Sequence, residues 1–444
     1  MNSSSTISID LAMEILLRLP QKSVARFHCV SKLWASMLST AYFKELYMTK
    51  SFLAKSRLLF AVGENDNENT KAKGCGVWSF FSLPQLEKAY DKSSSSTLVA
   101  AAEVHLKIFS PEDIRINHYS NIKYFSCGYN SGLIYFHGCR YQSKPLICNP
   151  NTGEYAVLPK RYTYRKAYSF FGFDPIDKQY KVLYMAYDGG PGNHVILTFG
   201  TVTDMRWRKI ECSLQHNIKS DGVCIDGVLY YLGDDNRWVY TDGAHPVLLT
   251  DYMIVCFDVR SEKFSFINVE RFCRLINFKG KLAMIYWEDD FDFYEAATYK
   301  GDIDKYLENN LVADANNELH VWVLEDVAKQ DWSKHTYTYT DKVFFRRHVY
   351  IAGATASGEI VFSMRKYTSG QPFYVFCFNP ERNILQRVKI QGFGEGFEIR
   401  CNVRTFVNHV ENLNDLELLM PFHAPFEDTN DSESESDTDE DDTM

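Results

Sequence analysis

The chain has 444 residues, 45% of them hydrophobic and 24% charged, with a formal net charge of −9. That length holds one large domain or two to three ordinary ones, and that composition belongs to a globular protein rather than a fibrous or disordered one. The acid excess is local: residues 427–444, EDTNDSESESDTDEDDTM, hold ten acids and no base. The remainder is close to neutral and offers no electrostatic footprint for nucleic acid.

The start, MNSSSTISID, lacks the charged and apolar regions of a secretory signal. No run reaches the roughly 18 apolar residues of a membrane span, so no membrane partner is expected. The 11 Cys are odd in number, scattered and without a Cys-x-x-Cys pair. They read as free thiols in a reducing compartment, which places the chain inside the cell, in cytoplasm or nucleus, with no zinc site or dithiol expected.

Taken in chain order, Leu11, Ile15, Leu16 and Leu19 recur as one helical stripe. Ser8 or Asp10 can cap its start, and Pro20 ends it because the ring cannot continue the helix. Ser23 is expected to cap a second helix carrying Val24, Phe27 and Val30. Ser31 opens a third with Trp34, Met37 and Leu38, and Phe43, Leu46 and Tyr47 mark a fourth. Residues 4–50 thus form a small helical module.

From Phe52 the period changes to two. RLLFAV, GLIYF, YKVLYM, VLYYL, YMIVCF, LHVWVL, EIVFSM and FYVFCF are short β-type runs separated by turn residues. A unit returns within them: apolar strand, polar turn, then a strand begun by a large residue, as in CNPNTGEYAVLP, CFDVRSEKFSFI and CFNPERNILQRV. Tyr155, Trp207, Phe264, Trp332 and Leu385 mark that position at steps of about 50 to 70 residues, the size of one four-stranded propeller blade. The expected fold is mostly β: a helical module followed, over 52–410, by a β-propeller of about six blades, with five or seven compatible. A paired β-sandwich is the alternative, because strand spacing alone does not separate the two. RLLFAVGENDNENTKAKGCGVWSFFSLP would begin the first blade around a disordered polar insert near Glu64–Lys73, and FEIRCNVRTFVNHV would close the ring.

The segment 427–444 is expected to be disordered. Ser432, Ser434, Ser436 and Thr438 each precede an acid by three residues, a pattern for an acid-directed kinase, although a solvated tail is the plainer reading. Catalytic signatures are missing: there is no G-x-S-x-G, H-E-x-x-H or P-loop. GFGEGF and YDGGPGN read as turns, WEDDFD as a solvated connection rather than a calcium loop, and KRYTYRK as an exposed loop. His216, His320 and His335 share no ligand spacing. No cofactor and no metal is expected.

Residues 8–46, SIDLAMEILLRLPQKSVARFHCVSKLWASMLSTAYFKEL, resemble an F-box, the helical module that docks on a Skp-type adaptor of cullin-based ubiquitin ligases. The β region resembles the F-box-associated interaction domain of plant F-box proteins. GFDPIDKQYKVLYM, DGVCIDGVLYYLG, IVCFDVRSEKFSFI, FKGKLAMI, LHVWVLEDVAKQDWSKH and PFYVFCFNPERN carry that likeness. One departure is Ser8, where family members usually carry Pro; proline there fixes the chain entering the adaptor groove, and its replacement can weaken docking without abolishing the helical stripe.

The resemblance implies a non-catalytic substrate receptor of an SCF-type ligase, reaching cullin and RING subunits through the adaptor and holding an unknown target protein. Leu11, Ile15, Leu16, Leu19, Pro20, Val24, Val30 and Trp34 would form or support the adaptor-facing surface, with Phe27 and Leu38 inside the module. Target-binding loops are expected around Tyr162, Tyr164 and Tyr168, Asp188 and Asn193, Asp234 and Trp238, and Asp289 and Phe291. Two other readings are a binding scaffold that works without a ligase, favoured by Ser8, and a propeller enzyme with acids or metal ligands at its axis.

Overall fold

The structure, a computed structural model, describes residues 8–19, 21–53, 57–63, 77–84, 98–109, 125–138, 145–159, 167–186, 194–199, 205–239, 247–287, 318–339, 349–394, 396–397 and 401–413. Hydroxyl caps set the helix starts. α1 (Ile9–Leu16) begins at Ser8, whose Oγ accepts the Leu11 amide at 3.3 Å. α2 (Gln21–Phe27) begins two residues before Ser23, which lies inside the helix instead of capping it. α3 (Lys32–Leu38) begins at Ser31, whose Oγ accepts the Trp34 amide at 3.3 Å. Before α4 (Ala41–Leu53), Thr40 Oγ1 accepts the Phe43 amide at 3.2 Å. Leu16, Leu17, Val24, Leu38, Phe43 and Tyr47 turn inward to make one small core.

The rest is a six-bladed β-propeller. β1 (Arg57–Gly63) and β2 (Val77–Pro84) pair antiparallel; β3 (Leu98–Ala101) leaves for another sheet, and β4 (Glu103–Phe109) pairs with β2. The second blade runs in order through β5 (Phe125–Asn130), β6 (Leu133–Gly138), β7 (Leu146–Cys148) and β8 (Tyr155–Val157). The third holds β9 (Ala167–Asp174), β10 (Gln179–Ala186), β11 (His194–Phe199) and β12 (Arg208–Ile210). In the fourth, β13 (Asn217–Ile218) and β14 (Val223–Ile225) both pair with the long β15 (Val228–Val239), followed by β16 (Val247–Asp258) and β17 (Phe264–Val269). The fifth holds β18 (Arg274–Phe278), β19 (Lys281–Trp287), β20 (Glu318–Asp326) and β21 (Asp331–Thr338). The sixth begins with β22 (Val349–Ala354) and β23 (Ile360–Met364). The chain then steps aside as β24 (Lys366–Tyr367) and returns as β25 (Phe373–Asn379) and β26 (Ile384–Gln391). Last comes β27 (Cys401–His409), which pairs with β1 and gives the first blade its inner strand. The ring is closed by the end of the chain.

Alternation within a strand decides which neighbour each residue serves. In β1, Leu58, Phe60 and Val62 pack toward the sixth blade, while Leu59 and Ala61 pack toward the second. Each further pair of adjacent blades shares such a cluster, so the ring has a core at every joint. Strands flanked on both sides within a blade, such as β1 and β19, are therefore buried on both faces, and their sequences run apolar almost continuously instead of alternating with polar residues. Six separate sheets joined this way replace the paired-sandwich alternative. Inner strands approach so closely that a Cβ at Gly128 in β5 would lie 2.6 Å from Phe171 in β9. A Cβ at Gly353 in β22, where φ is 144°, would lie 2.7 Å from the Val407 side chain of β27.

The repeated polar turn has one geometry. Asn149, Asp174, Asp258, Asp326 and Asn379 each accept, through Oδ1, a backbone amide two or three residues on. Four residues after each, at Gly153, Lys178, Glu262, Gln330 and Asn383, φ is positive. An Asx side chain thus substitutes for a backbone acceptor while one left-handed residue reverses the chain.

Candidate functional site

The helical module keeps a full interior and still leaves large apolar side chains in solvent. Leu16 is 1% exposed, yet Leu11 and Ile15 on the same helix are 54% and 47% exposed. Around the turn from α2 into α3, Val30 and Leu33 are 61% and 63% exposed, and Ile9 and Tyr42 also stand in solvent. The propeller strands do not cover them. Trp34 lies between the two classes, its ring stacked on Phe27 at 5.2 Å and 19°.

The module is seated on one face of the ring. Tyr47, on α4, donates its hydroxyl to the Leu19 carbonyl at 2.9 Å and to Glu411 Oε2, beyond β27, at 2.7 Å. Burial first, then the Glu411 charge, pushes the Tyr47 hydroxyl pKa well above its usual value, so it remains a donor. Leu413 packs on the module core. Asn412 is pinned on the second blade: its Nδ2 donates to the Ser131 carbonyl at 2.5 Å, and its own carbonyl accepts Asn149 Nδ2 at 2.8 Å. Glu45 pairs with Lys178 in the β9–β10 turn at 3.2 Å. The β5–β6, β7–β8 and β9–β10 turns therefore lie on the module's side. Because strand direction alternates, the ends joined by 139–144, 160–166, 187–193, 240–246 and 288–317 lie on the opposite side.

Across the ring, Arg404 of β27 reaches Asp221, just before β14, at 2.9 Å. These residues belong to the first and fourth blades, three apart in a ring of six, so the pair spans the central channel. Beside it the Thr405 amide donates to Tyr350 Oη at 2.6 Å, and Arg365 lies 5.1 Å above the Tyr350 ring.

Residues 57–410 match the family described as the F-box associated beta propeller domain, and residues 5–46 match the F-box domain. This chain belongs to the F-box proteins. F-box protein At2g16450 of Arabidopsis thaliana is 64% identical over 424 residues, covering 95% of this chain and 97% of the relative. F-box protein At2g15640 of Arabidopsis thaliana is 63% identical over 436 residues, covering 97% and 99%. Among solved structures, the WD40 domain of SCAP from fission yeast aligns at TM-score 0.33 and 8% identity over 80% of this chain and 96% of that one. The propeller assignment rests on the strand pairing itself.

The F-box residues read from the sequence divide into two groups. Leu11, Ile15 and Val30 are outward; Leu16 and Val24 are core, and Leu19 and Trp34 are partly buried against it. Pro20 lies outside the described residues. Ile9, Leu33 and Tyr42 were missed, because helical periodicity marks an apolar stripe without saying which apolar residues on or beside it stay in solvent. Ser8 is an N-cap, a role that serves the helix start directly.

Three residues expected in target loops need correction. Tyr168 lies in β9 with its ring in the cluster between third and fourth blades. Asp234 lies in β15, fully buried, pairing with Lys219 Nζ at 2.8 Å. Trp238 is also in β15 rather than in a loop. Tyr162, Tyr164, Asp188, Asn193, Asp289 and Phe291 fall outside the described residues, as do WEDDFD beyond Trp287, the polar insert near Glu64–Lys73 and the tail. No described helix is long and apolar enough to cross a membrane.

Proposed function

We propose that this F-box protein is the target-binding subunit of an SCF-type ubiquitin ligase. Its F-box docks on a Skp-type adaptor, which brings the cullin and RING subunits, and its propeller holds a target protein. The carrying observation is the exposure of Leu11, Ile15, Val30 and Leu33 on a module whose own core is complete without them. Apolar helix faces left in solvent are covered by a partner's groove, and the F-box register names the class of partner.

Target binding is assigned to the connections 160–166, 187–193 and 288–317. The strand ends that bear them face away from the F-box, so adaptor and target occupy opposite sides of one rigid ring. Ubiquitin transfer then gains from proximity, and this chain supplies position rather than a nucleophile.

The test is affinity purification of the full chain beside Leu11→Asp/Ile15→Asp, a pair that leaves Leu16 and Leu17 in the core. Wild type brings down adaptor and cullin; the variant loses both and keeps any target recovered with wild type. Equal adaptor recovery from the two would overturn the docking assignment. A target bound without any adaptor from wild type would leave a ligase-independent scaffold.

A further inference from the structure

Where the third blade hands the chain to the fourth, three metal-ligating side chains meet in the interior. His194 opens β11, while Cys212 and His216 lie on the connection from β12 to β13. All three are buried, and one donor atom of each lies within 4.8 Å of the others. It is the only such His/Cys/Asp/Glu group among the described residues.

The local backbone arranges two of the three. In Cys212-Ser-Leu-Gln-His216 the carbonyl of the middle residue, Leu214, accepts from Cys212 Sγ at 3.2 Å and from His216 Nδ1 at 3.0 Å. One carbonyl thus holds both side chains on the same side of the turn. With its Nδ1–H committed there, His216 presents a lone pair at Nε2, the arrangement that carbonyl partners impose on ligating histidines. That Nε2 now accepts the Tyr231 hydroxyl at 2.8 Å. The hydroxyl has a second acceptor, Met185 Sδ at 3.5 Å, so Nε2 can turn to a metal without orphaning Tyr231.

His194 supplies the independent observation. It is 3% exposed, and its Nδ1 has no hydrogen-bond partner. Its ring packs 5.6 Å from His216 and 5.4 Å from Phe264, which accounts for its burial but leaves the nitrogen unsatisfied. A buried imidazole nitrogen without a partner is destabilising, and a bound cation removes that cost.

We propose that His194, Cys212 and His216 bind one zinc ion, with an oxygen donor completing the tetrahedron. Two imidazoles and a thiolate are a donor set that zinc favours. Zinc–nitrogen and zinc–sulfur bonds of about 2.1 and 2.3 Å require the donors to draw together by roughly 1 Å from their present spread. The Cys212 thiol loses its proton to solvent on binding, so no redox partner is needed. The ion clips β11 to the connection entering the fourth blade and stiffens a joint of the ring.

The test uses the full chain, stripped with a chelator and then given zinc chloride or cobalt chloride alone. The expected result is about one zinc per chain by elemental mass spectrometry, a higher melting temperature with zinc, and a thiolate-to-cobalt charge-transfer band in the near ultraviolet. Cys212→Ser and His194→Gln abolish the band and the zinc, whereas Cys377→Ser, a buried thiol in the sixth blade, keeps both. A folded wild-type chain that takes up no zinc and gives no cobalt band overturns the proposal, as does undiminished zinc in Cys212→Ser. The wild-type spectrum requires no variant, so a variant that fails to fold leaves the test decisive.

Discussion

Ile15 and Leu16 are neighbours in sequence with opposite surroundings, and truncating each to Ala separates docking from folding. Full burial of an Ile side chain is worth about 1.5–3 kcal/mol, and Ile15 still exposes 47% of its surface. Covering the rest in an adaptor groove therefore contributes about 1 kcal/mol, or about fivefold in Kd. Ile15→Ala should leave the melting curve of the module almost unchanged. Leu16 is 1% exposed inside the module core, and Leu→Ala at such a site costs about 3 kcal/mol through lost transfer energy and the cavity left behind. A core of six buried side chains has little reserve against that loss. Leu16→Ala should therefore melt the helices while β-strand signals persist. Calorimetric titration with purified adaptor reads the first effect, and amide hydrogen exchange over residues 9–53 reads the second. If Ile15→Ala unfolds the module, or binds as wild type does, the outward assignment of this helix face is wrong. If Leu16→Ala weakens docking with exchange unaltered, the core assignment is wrong.

Three further substitutions probe how the module and the blades are held. Tyr47→Phe removes the hydroxyl shared by the Leu19 carbonyl and Glu411, and should loosen the module from the ring by about 1–2 kcal/mol, seen as faster exchange in α4 with the blades unaffected. Glu262 pairs with Lys181 at 2.6 Å and with Arg208; burial raises its pKa, but the two cations outweigh burial and hold it below its usual 4.5. Its contribution is then complete above about pH 4.5 and lost as pH falls through the lowered value. Glu262→Gln should cost about 2 kcal/mol at pH 7, leaving Lys181 buried without its charge partner, and the gap to wild type in urea denaturation should close toward pH 3. Gly353→Ala forces a Cβ into Val407 at a backbone angle that L residues avoid, and should lower the urea midpoint by the equivalent of about 3 kcal/mol.

Much of this architecture was legible because local chemistry and global fold agree. Ser8 and Ser31 start helices in the way their hydroxyls allow. Tyr155, Phe264 and Trp332 lie at or near the start of their blades' outermost strands, Leu385 lies near the start of β26, the fourth strand of its blade, and Trp207 lies one residue before β12, so their spacing counts blades. The closing strand was legible too, as β27 lies within FEIRCNVRTFVNHV. What escaped reading depends on contacts distant in sequence. Helical periodicity gives a stripe, but it does not say that Leu16 turns inward while Leu11 and Ile15 stay in solvent. Strand β3 pairs parallel with β26 nearly three hundred residues away, a partner no turn chemistry announces. Asp234 reads as part of a polar loop because it begins a run of polar residues, but Lys219 and Asn217 satisfy it within the sheet. Cys212 and His216 share a short spacing, yet His194 joins them only because β11 pairs with β12.

The pairing of β27 with β1 sets an order on biosynthesis. A nascent chain leaving the ribosome presents the helical module before the first blade, but that blade lacks its inner strand until Cys401–His409 emerges. Until then β1 offers a bare strand edge, the kind of surface that recruits other chains. A premature stop anywhere upstream of Cys401 would leave every copy with that edge open, so short C-terminal truncations should aggregate as severely as long ones.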